Sequence, residues 1–347
     1  MDKIITERIL SAIGACTSRK SVSAAFADPR YEPVQFGKQN FHEIRALDEE
    51  HSVCFVDGSN VSIITTPTFS LDFIRVASVI YTGKKRLASQ SKEFLALTSA
   101  GPHEKYEVET FPENSLASVK VSFSDQTMRF AQDKVTIARV PELLRSLSEI
   151  DYASENLETL PKNSCVVRDG SLMPKMSYEL QWYSRLFSAC REKRVALAGF
   201  CKTTDLLTDC GDSLACALRQ IAPRATWHYS PLFINKNPEH PVQIGMVKLH
   251  PSSSYVFRFE LLSDFVHMSD SILSSLAINS SDPVFLGYPY GLQQSHALAK
   301  ISSSERSQML TMFQSRAGKG WKSIEDYLRS VDAHDVLDSA TTPDTFK

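Results

Sequence analysis

SVCFVDGSNVSIITTP, residues 52–67, sets the architecture of this chain. Val53, Cys54, Phe55 and Val56 form an unbroken apolar run, the pattern of a strand covered on both faces, and it leads into Asp57-Gly58-Ser59. Residues 69–86, FSLDFIRVASVIYTGKKR, continue the β-branched and aromatic character. The whole of 52–82 therefore reads as strand, turn, strand, strand, with Gly58 and Gly83-Lys84 marking the reversals.

Further along, SCVVRDGS (164–171) repeats the same design, an apolar strand followed by Asp169-Gly170-Ser171. A third apolar strand, VALAGFCKTT (195–204), ends in Lys202. PVQIGMVKLHP (241–251) and SSYVFRFELL (253–262) alternate and read as a hairpin in which Arg258 interrupts the apolar pattern. The alternating stretch 117–125 offers one more strand, and the lysines and arginine of 84–86 read as a solvated turn.

Helical spacing fills the intervals. Val140, Leu143, Leu144, Leu147, Ile150, Leu157 and Leu160 predict a helix from 140 to 160, stopped by Pro161. Trp182, Tyr183, Leu186, Phe187 and Cys190 predict another over 178–194. The C-terminal part is helical in three pieces, and Ser302 with Glu305 makes a capping box for the last. At the other end, Ile4, Ile5, Ile9, Leu10 and Ile13 predict a helix, followed by an arm whose YEPVQF stretch packs on the body or on a neighbour. The polar residues after Asp332 are expected to be disordered. The division expected is an N-terminal helix and arm (1–50), one large α/β domain (51–315), and a C-terminal helix and polar tail (316–347).

Bulk properties narrow the function classes. In 347 residues, 42% are hydrophobic, enough for a large core, while a net charge of -2 argues against a protein that coats nucleic acid. A nuclease remains compatible, because its positive charge can be confined to one groove. The seven cysteines (Cys16, Cys54, Cys165, Cys190, Cys201, Cys210 and Cys216) form no Cys-x-x-Cys pair, and several sit in apolar runs; they read as reduced thiols. MDKIITERIL lacks the basic start of a signal peptide, and no apolar run approaches the ~20 residues that span a bilayer. A cytoplasmic location without membrane contact is expected.

The chemistry is in the repeated Asp-Gly-Ser. A carboxylate fixed at a strand end faces the crevice where open α/β sheets bind ligands. Two such carboxylates brought together repel each other unless a cation lies between them, and paired divalent metals serve in-line phosphodiester cleavage. A phosphatase of the haloacid-dehalogenase type needs a second aspartate two positions away, where this chain has Phe55, Ser59, Val167 and Ser171. The bland alternative is that each Asp-Gly-Ser is ordinary hairpin chemistry. His296, one turn beyond Leu292 on the apolar stripe of its helix, taken alone reads as a core histidine. Tyr288 taken alone reads as a packing tyrosine with a bonded hydroxyl.

Taken in order, five segments resemble the NurA nuclease family: FVDGS with FIRVASVIY, CVVRDGSL, LAGFCKTT, VKLHPSSSYVFRFEL, and GYPYGLQQSHALAKIS. The resemblance runs from about residue 52 to 315. It implies an RNase H-like mixed β-sheet flanked by helices, a homodimer, DNA as substrate, and a HerA-type hexameric ATPase as partner. Carried onto this chain, it makes Asp57, Asp169 and His296 the metal ligands, with Tyr288 beside them. It also implies a catalytic glutamate on the helix before the second aspartate strand. Glu142, Glu149 and Glu155 all lie there, and Glu149 is taken for its spacing. Lys202 and Arg258 are taken as substrate-binding cations. A mixed carboxylate and imidazole set favours Mn2+, with Mg2+ as the alternative. The function expected is a Mn2+-dependent deoxyribonuclease, exonuclease or single-strand endonuclease, in DNA end processing or defence. The rival is a catalytically inactive assembly partner of a motor ATPase.

Overall fold

A computed structural model describes residues 3–16, 21–47, 51–117 and 119–331. Contacts divide the chain into two compact units. The first is formed by Met1–Asp57, Ala77–Ser91 and Glu149–Leu298, the second by Gly58–Val76, Lys92–Ser148 and Ala299–Lys347.

The eleven sheet strands are β1 (Phe41–Glu43), β2 (Ser52–Thr65), β3 (Phe69–Thr82), β4 (Lys85–Gly101), β5 (Lys105–Phe111), β6 (Lys120–Ser122), β7 (Cys165–Asp169), β8 (Ala196–Cys201), β9 (Trp227–Tyr229), β10 (Val242–Lys248) and β11 (Phe257–Leu262). The helices are α1 (Lys3–Cys16), α2 (Val140–Asn156), α3 (Glu179–Lys193), α4 (Leu214–Ile221), α5 (Ser269–Asn279), α6 (Tyr290–Ala299), α7 (Ser303–Ala317) and α8 (Gly320–Val331).

In the first unit the strands follow the order β1-β9-β10-β11-β8-β7-β2-β3. The three apolar runs are its centre: β2 and β7 are parallel, as are β7 and β8, and α3 supplies the crossover that the second pair needs. The predicted hairpin is β10 with β11, antiparallel, and β11 also pairs antiparallel with β8. Every residue from Cys54 to Val56, from Cys165 to Val167 and from Ala196 to Phe200 is buried, as expected of strands covered on both faces. The arm packs on this same unit. Tyr31–Pro33 pairs with Phe233–Asn235, and residues 24–25 pair with 207–208. Helix α1 forms where predicted, with Ile4, Ile5, Ile9, Leu10 and Ile13 exposed.

In the second unit β3, β4, β5 and β6 follow one another in order. Ile63, Ile64 and Phe73 form its core with Leu95, Met309, Phe313 and Trp321. The capping box is present: Ser302 Oγ accepts from the Glu305 amide, and the Glu305 carboxylate accepts from the Ser302 amide. Arg75 ties Glu305 to Glu93 at 2.9 and 3.0 Å.

Four local readings change. Gly58 is not a reversal. β2 runs straight through it to Thr65, because Ile63 and Ile64 must reach the second unit's core, and the turn falls at Thr66–Phe69. Helix α2 ends at Asn156, four residues short of the expected end. There the amides of Leu157, Glu158 and Thr159 bond back three residues instead of four, tightening the last turn. The strand expected over 117–125 is confined to Lys120–Ser122. His296 is not on a buried stripe: with Ala297 and Leu298 it faces outward, while Leu292, Ser295 and Ala299 are buried. The six described cysteine side chains are free thiols, four of them buried. The expected polar tail after Asp332 lies outside the described residues.

Candidate active site

Register places the two aspartates together. On the parallel pair β2 and β7, Val56 lies opposite Arg168, so Asp57 and Asp169 follow at the same height on neighbouring strands, which are spaced about 4.8 Å apart. Because side chains alternate along a strand, both carboxylates leave the sheet on one face. Asp169 lies opposite Phe200 on β8, so Lys202, two residues on, belongs to that face as well. The Lys202 ammonium makes an ion pair with Asp169. After Asp169 the chain must turn at once: Gly170 has φ 115° and donates its amide to the Phe200 carbonyl at 2.8 Å. That conformation favours glycine.

Helix α6 brings the imidazole. Gly291, in its first turn, lies directly on the Phe55 ring, where an added Cβ would come within 2.1 Å of Phe55 Cδ2. Asn279 Oδ1 accepts the Gly291 amide at 2.7 Å and fixes the helix start. Five residues on, His296 Nδ1 is 2.7 Å from Asp57 Oδ2. One ligand atom from each of Asp57, Asp169 and His296 lies within 4.8 Å of the others, and they are the one such trio among the described residues. Asp57 is buried, whereas the His296 side chain is 54% exposed, so the cluster opens to solvent through the histidine.

The electrostatics fit a cation. Burial pushes the Asp169 carboxyl up to about 6, and the nearby charge of Asp57 pushes in the same direction; the Lys202 ammonium opposes both. Two carboxylates that disfavour each other's charge, one already drawing on a lysine, have the donor chemistry of a divalent metal site. Tyr288 completes the surroundings. Its ring meets Phe200 and Phe257 edge-on at 5.7 and 5.5 Å, and its hydroxyl is buried without a hydrogen-bond partner among the described residues. Burial, then the charges of Asp169 and Asp57, hold that hydroxyl firmly protonated.

Glu149 and Arg258 are placed elsewhere, by the same alternation. Arg168, one residue before Asp169, points to the opposite face. There it forms a buried pair with Glu149 at 2.6 Å and bonds the Tyr183 hydroxyl. Arg258 lies opposite Cys201, again on the other face, and pairs with Glu260 at 2.5 Å. Glu260 also binds His240, Ser171 Oγ and the Leu172 amide. Where β7 and β8 end, a cleft of about 920 Å3 is lined by Lys175, Lys202, Arg258, Ser171 and Thr203, with Asp205 as its carboxylate. Glu142 and Glu155 are exposed on α2.

The NurA domain family model matches residues 51–301. The chain belongs to the NurA family. Among solved structures, the NurA nuclease from Sulfolobus solfataricus superposes with a TM-score of 0.54 at 12% identity, over 92% of this chain and 98% of that one. Human ENDOV (TM-score 0.37, 11% identity, 86% and 96% covered) and an A. aeolicus Argonaute (0.34, 9%, 72% and 28%) superpose less well. No curated protein sequence matches the chain. The mixed sheet with flanking helices, expected from the sequence, is thus present, and it is the fold of the NurA nuclease structure.

Sequence reasoning missed the polar network behind the sheet. Arg168 in an otherwise apolar strand was its visible signal, since a charge in a doubly covered strand must find a buried partner.

Proposed function

We propose that this NurA-family protein is a metal-dependent DNA nuclease, with Asp57, Asp169 and His296 holding the cation. The carrying observation is the meeting of these three side chains, with Lys202 and Tyr288 beside them, from four separate parts of the chain. A bound divalent cation would supply Lewis acidity toward the scissile phosphate. The imidazole in the donor set favours Mn2+ over Mg2+.

The chain's own residues do the rest. Asp57 orients the imidazole through the 2.7 Å contact to Nδ1, which leaves Nε2 on the open side. Lys202, paired with Asp169, would offer a charge-assisted hydrogen bond to a phosphate oxygen. Tyr288, held protonated, is a hydrogen-bond donor toward substrate. The lysines and hydroxyls of the neighbouring cleft fit the phosphates of a strand and offer no pattern for reading bases, while its arginine, Arg258, is held by Glu260. Glu149, bound to Arg168 behind the sheet, acts as that arginine's buried counter-charge. Family membership supports a homodimer and a HerA-type ATPase partner in DNA end processing or defence.

The test is incubation of purified protein with single-stranded DNA and Mn2+, beside Asp57→Ala and Asp169→Ala. Cleavage by the wild type alone is expected. Equal activity in all three samples, or none in the wild type, would return the protein to the role of an inactive assembly partner.

A further inference from the structure

A second cleft, of about 620 Å3, reaches the same cluster at His296 and shares Lys202 with the first. Lys202, Tyr288 and His296 line it, and so do Tyr255, Phe257, Val284, Phe285 and Gln293. Its size is that of clefts that hold small organic ligands, roughly 300–1,000 Å3. Its character differs from the basic cleft. Tyr255, Val284 and Phe285 are 64, 76 and 48% exposed, a dense group of large apolar side chains beside a charged site. The Tyr255 ring stacks on Phe257 (6.0 Å between centroids, 25° between planes), and Phe257 in turn meets Tyr288. An aromatic ladder therefore leads from solvent to the Asp57–Asp169 cluster.

Two polar atoms at this cleft are unsatisfied. The Tyr288 hydroxyl and Gln293 Oε1 are buried without a hydrogen-bond partner among the described residues, and Tyr288 as a whole is 9% exposed. Leaving such groups unbonded is costly, so their presence points to a partner with hydrogen-bonding edges. The cleft thus combines a flat aromatic surface, buried unpaired polar atoms and a cationic mouth at Lys202. A nucleotide has the complementary set: a planar ring with polar edges joined to an anionic phosphate.

We propose that this cleft holds one unpaired nucleobase of the strand whose phosphate lies at Asp57 and Asp169, stacked on Tyr255 and Phe285 with Tyr288 and Gln293 bonding its edge. The inference rests on the nuclease reading and deepens it. A base can enter only when it is unstacked and unpaired, so the site selects single strands or frayed ends over intact duplex. Ring stacking of this kind tolerates every base.

Binding without turnover tests it. Fluorescence anisotropy with EDTA present compares a labelled thymidine oligomer with an abasic deoxyribose-phosphate oligomer of equal length, on the full chain. The wild type should bind the thymidine strand about 10- to 100-fold more tightly, the range of a lost stacking contact. Tyr255→Ala and Phe285→Ala should cut that preference to under about 3-fold while binding the abasic strand as the wild type does. Equal wild-type affinity for the two strands overturns the proposal, and so do variants that keep the preference. Should the variants keep it and instead change the sedimentation mass, the patch is a protein interface. Mn2+-dependent cleavage of the thymidine strand, followed separately, reports on the nuclease reading, so each idea can fail without the other.

Discussion

The two faces of one stretch of sheet handle charge in opposite ways. On one, Asp57, Asp169 and His296 converge in a cluster that opens to solvent, with like charges adjacent and a tyrosine hydroxyl that has no hydrogen-bond partner among the described residues. On the other, Glu149 with Arg168 and Glu260 with Arg258 and His240 are buried, and each acid has its counter-charge. A single-residue step along β7, from Arg168 to Asp169, crosses from one regime to the other. Buried charges that satisfy each other hold structure. Charges left in mutual conflict at an open site keep binding energy in reserve for a ligand.

The largest effect on stability should come from breaking the closed face. Glu149→Ala leaves the Arg168 guanidinium buried without its acid and should cost about 3–5 kcal/mol in urea unfolding. Combining it with Arg168→Met should recover most of the loss. Asp57→Asn, on the open face, should change stability by less than about 1 kcal/mol. If Glu149→Ala unfolds like the wild type yet no longer cleaves DNA, Glu149 belongs to the catalytic site and the contrast between the faces fails.

A second effect is set by pH. Burial works against ionisation of Glu260, but Arg258, the hydrogen bond from His240 and the Leu172 amide outweigh it and hold the carboxyl down at about 2, against an ordinary 4.5. A folded-state pKa below the unfolded one gives stability that is fully present above about 4.5 and is lost as pH falls toward about 2. Acid unfolding curves should therefore steepen in that window, and Glu260→Gln should flatten them. An unchanged slope would mean that the network contributes nothing. A change of the opposite sign is expected at Tyr288→Phe. Removing a buried hydroxyl that has no hydrogen-bond partner among the described residues should leave unfolding stability unchanged or raise it, by up to about 1–3 kcal/mol of relieved desolvation. DNA cleavage should fall at the same time. A destabilised variant would instead reveal a bonded hydroxyl.

Much of this was legible in the residues. The three apolar runs ending at Asp57, Asp169 and Lys202 announced central strands covered on both faces, and the structure pairs them in parallel. The Ser302–Glu305 cap was readable because it is local. Gly58 misled because glycine also occurs in continuous strands, and what carries β2 onward is a distant core around Ile63 and Phe73. Face assignment was the harder problem. Spacing to Asp169 picked out Glu149, but which side of the sheet a helix residue meets depends on packing, and the charge at Arg168 was waiting behind it. The exposure of His296 escaped for the same reason, since α6 docks through Gly291 on Phe55 and so turns position 296 outward. The aromatic cleft draws on segments some thirty residues apart that no motif joins.

The most direct measurement is a Mn2+ titration followed by electron paramagnetic resonance of the free ion, on the wild type, Asp57→Asn, Asp169→Asn and Glu149→Gln. Bound Mn2+ that survives in Glu149→Gln and is lost in both aspartate variants, together with DNA cleavage, is the predicted outcome. Undiminished binding in the aspartate variants would contradict it.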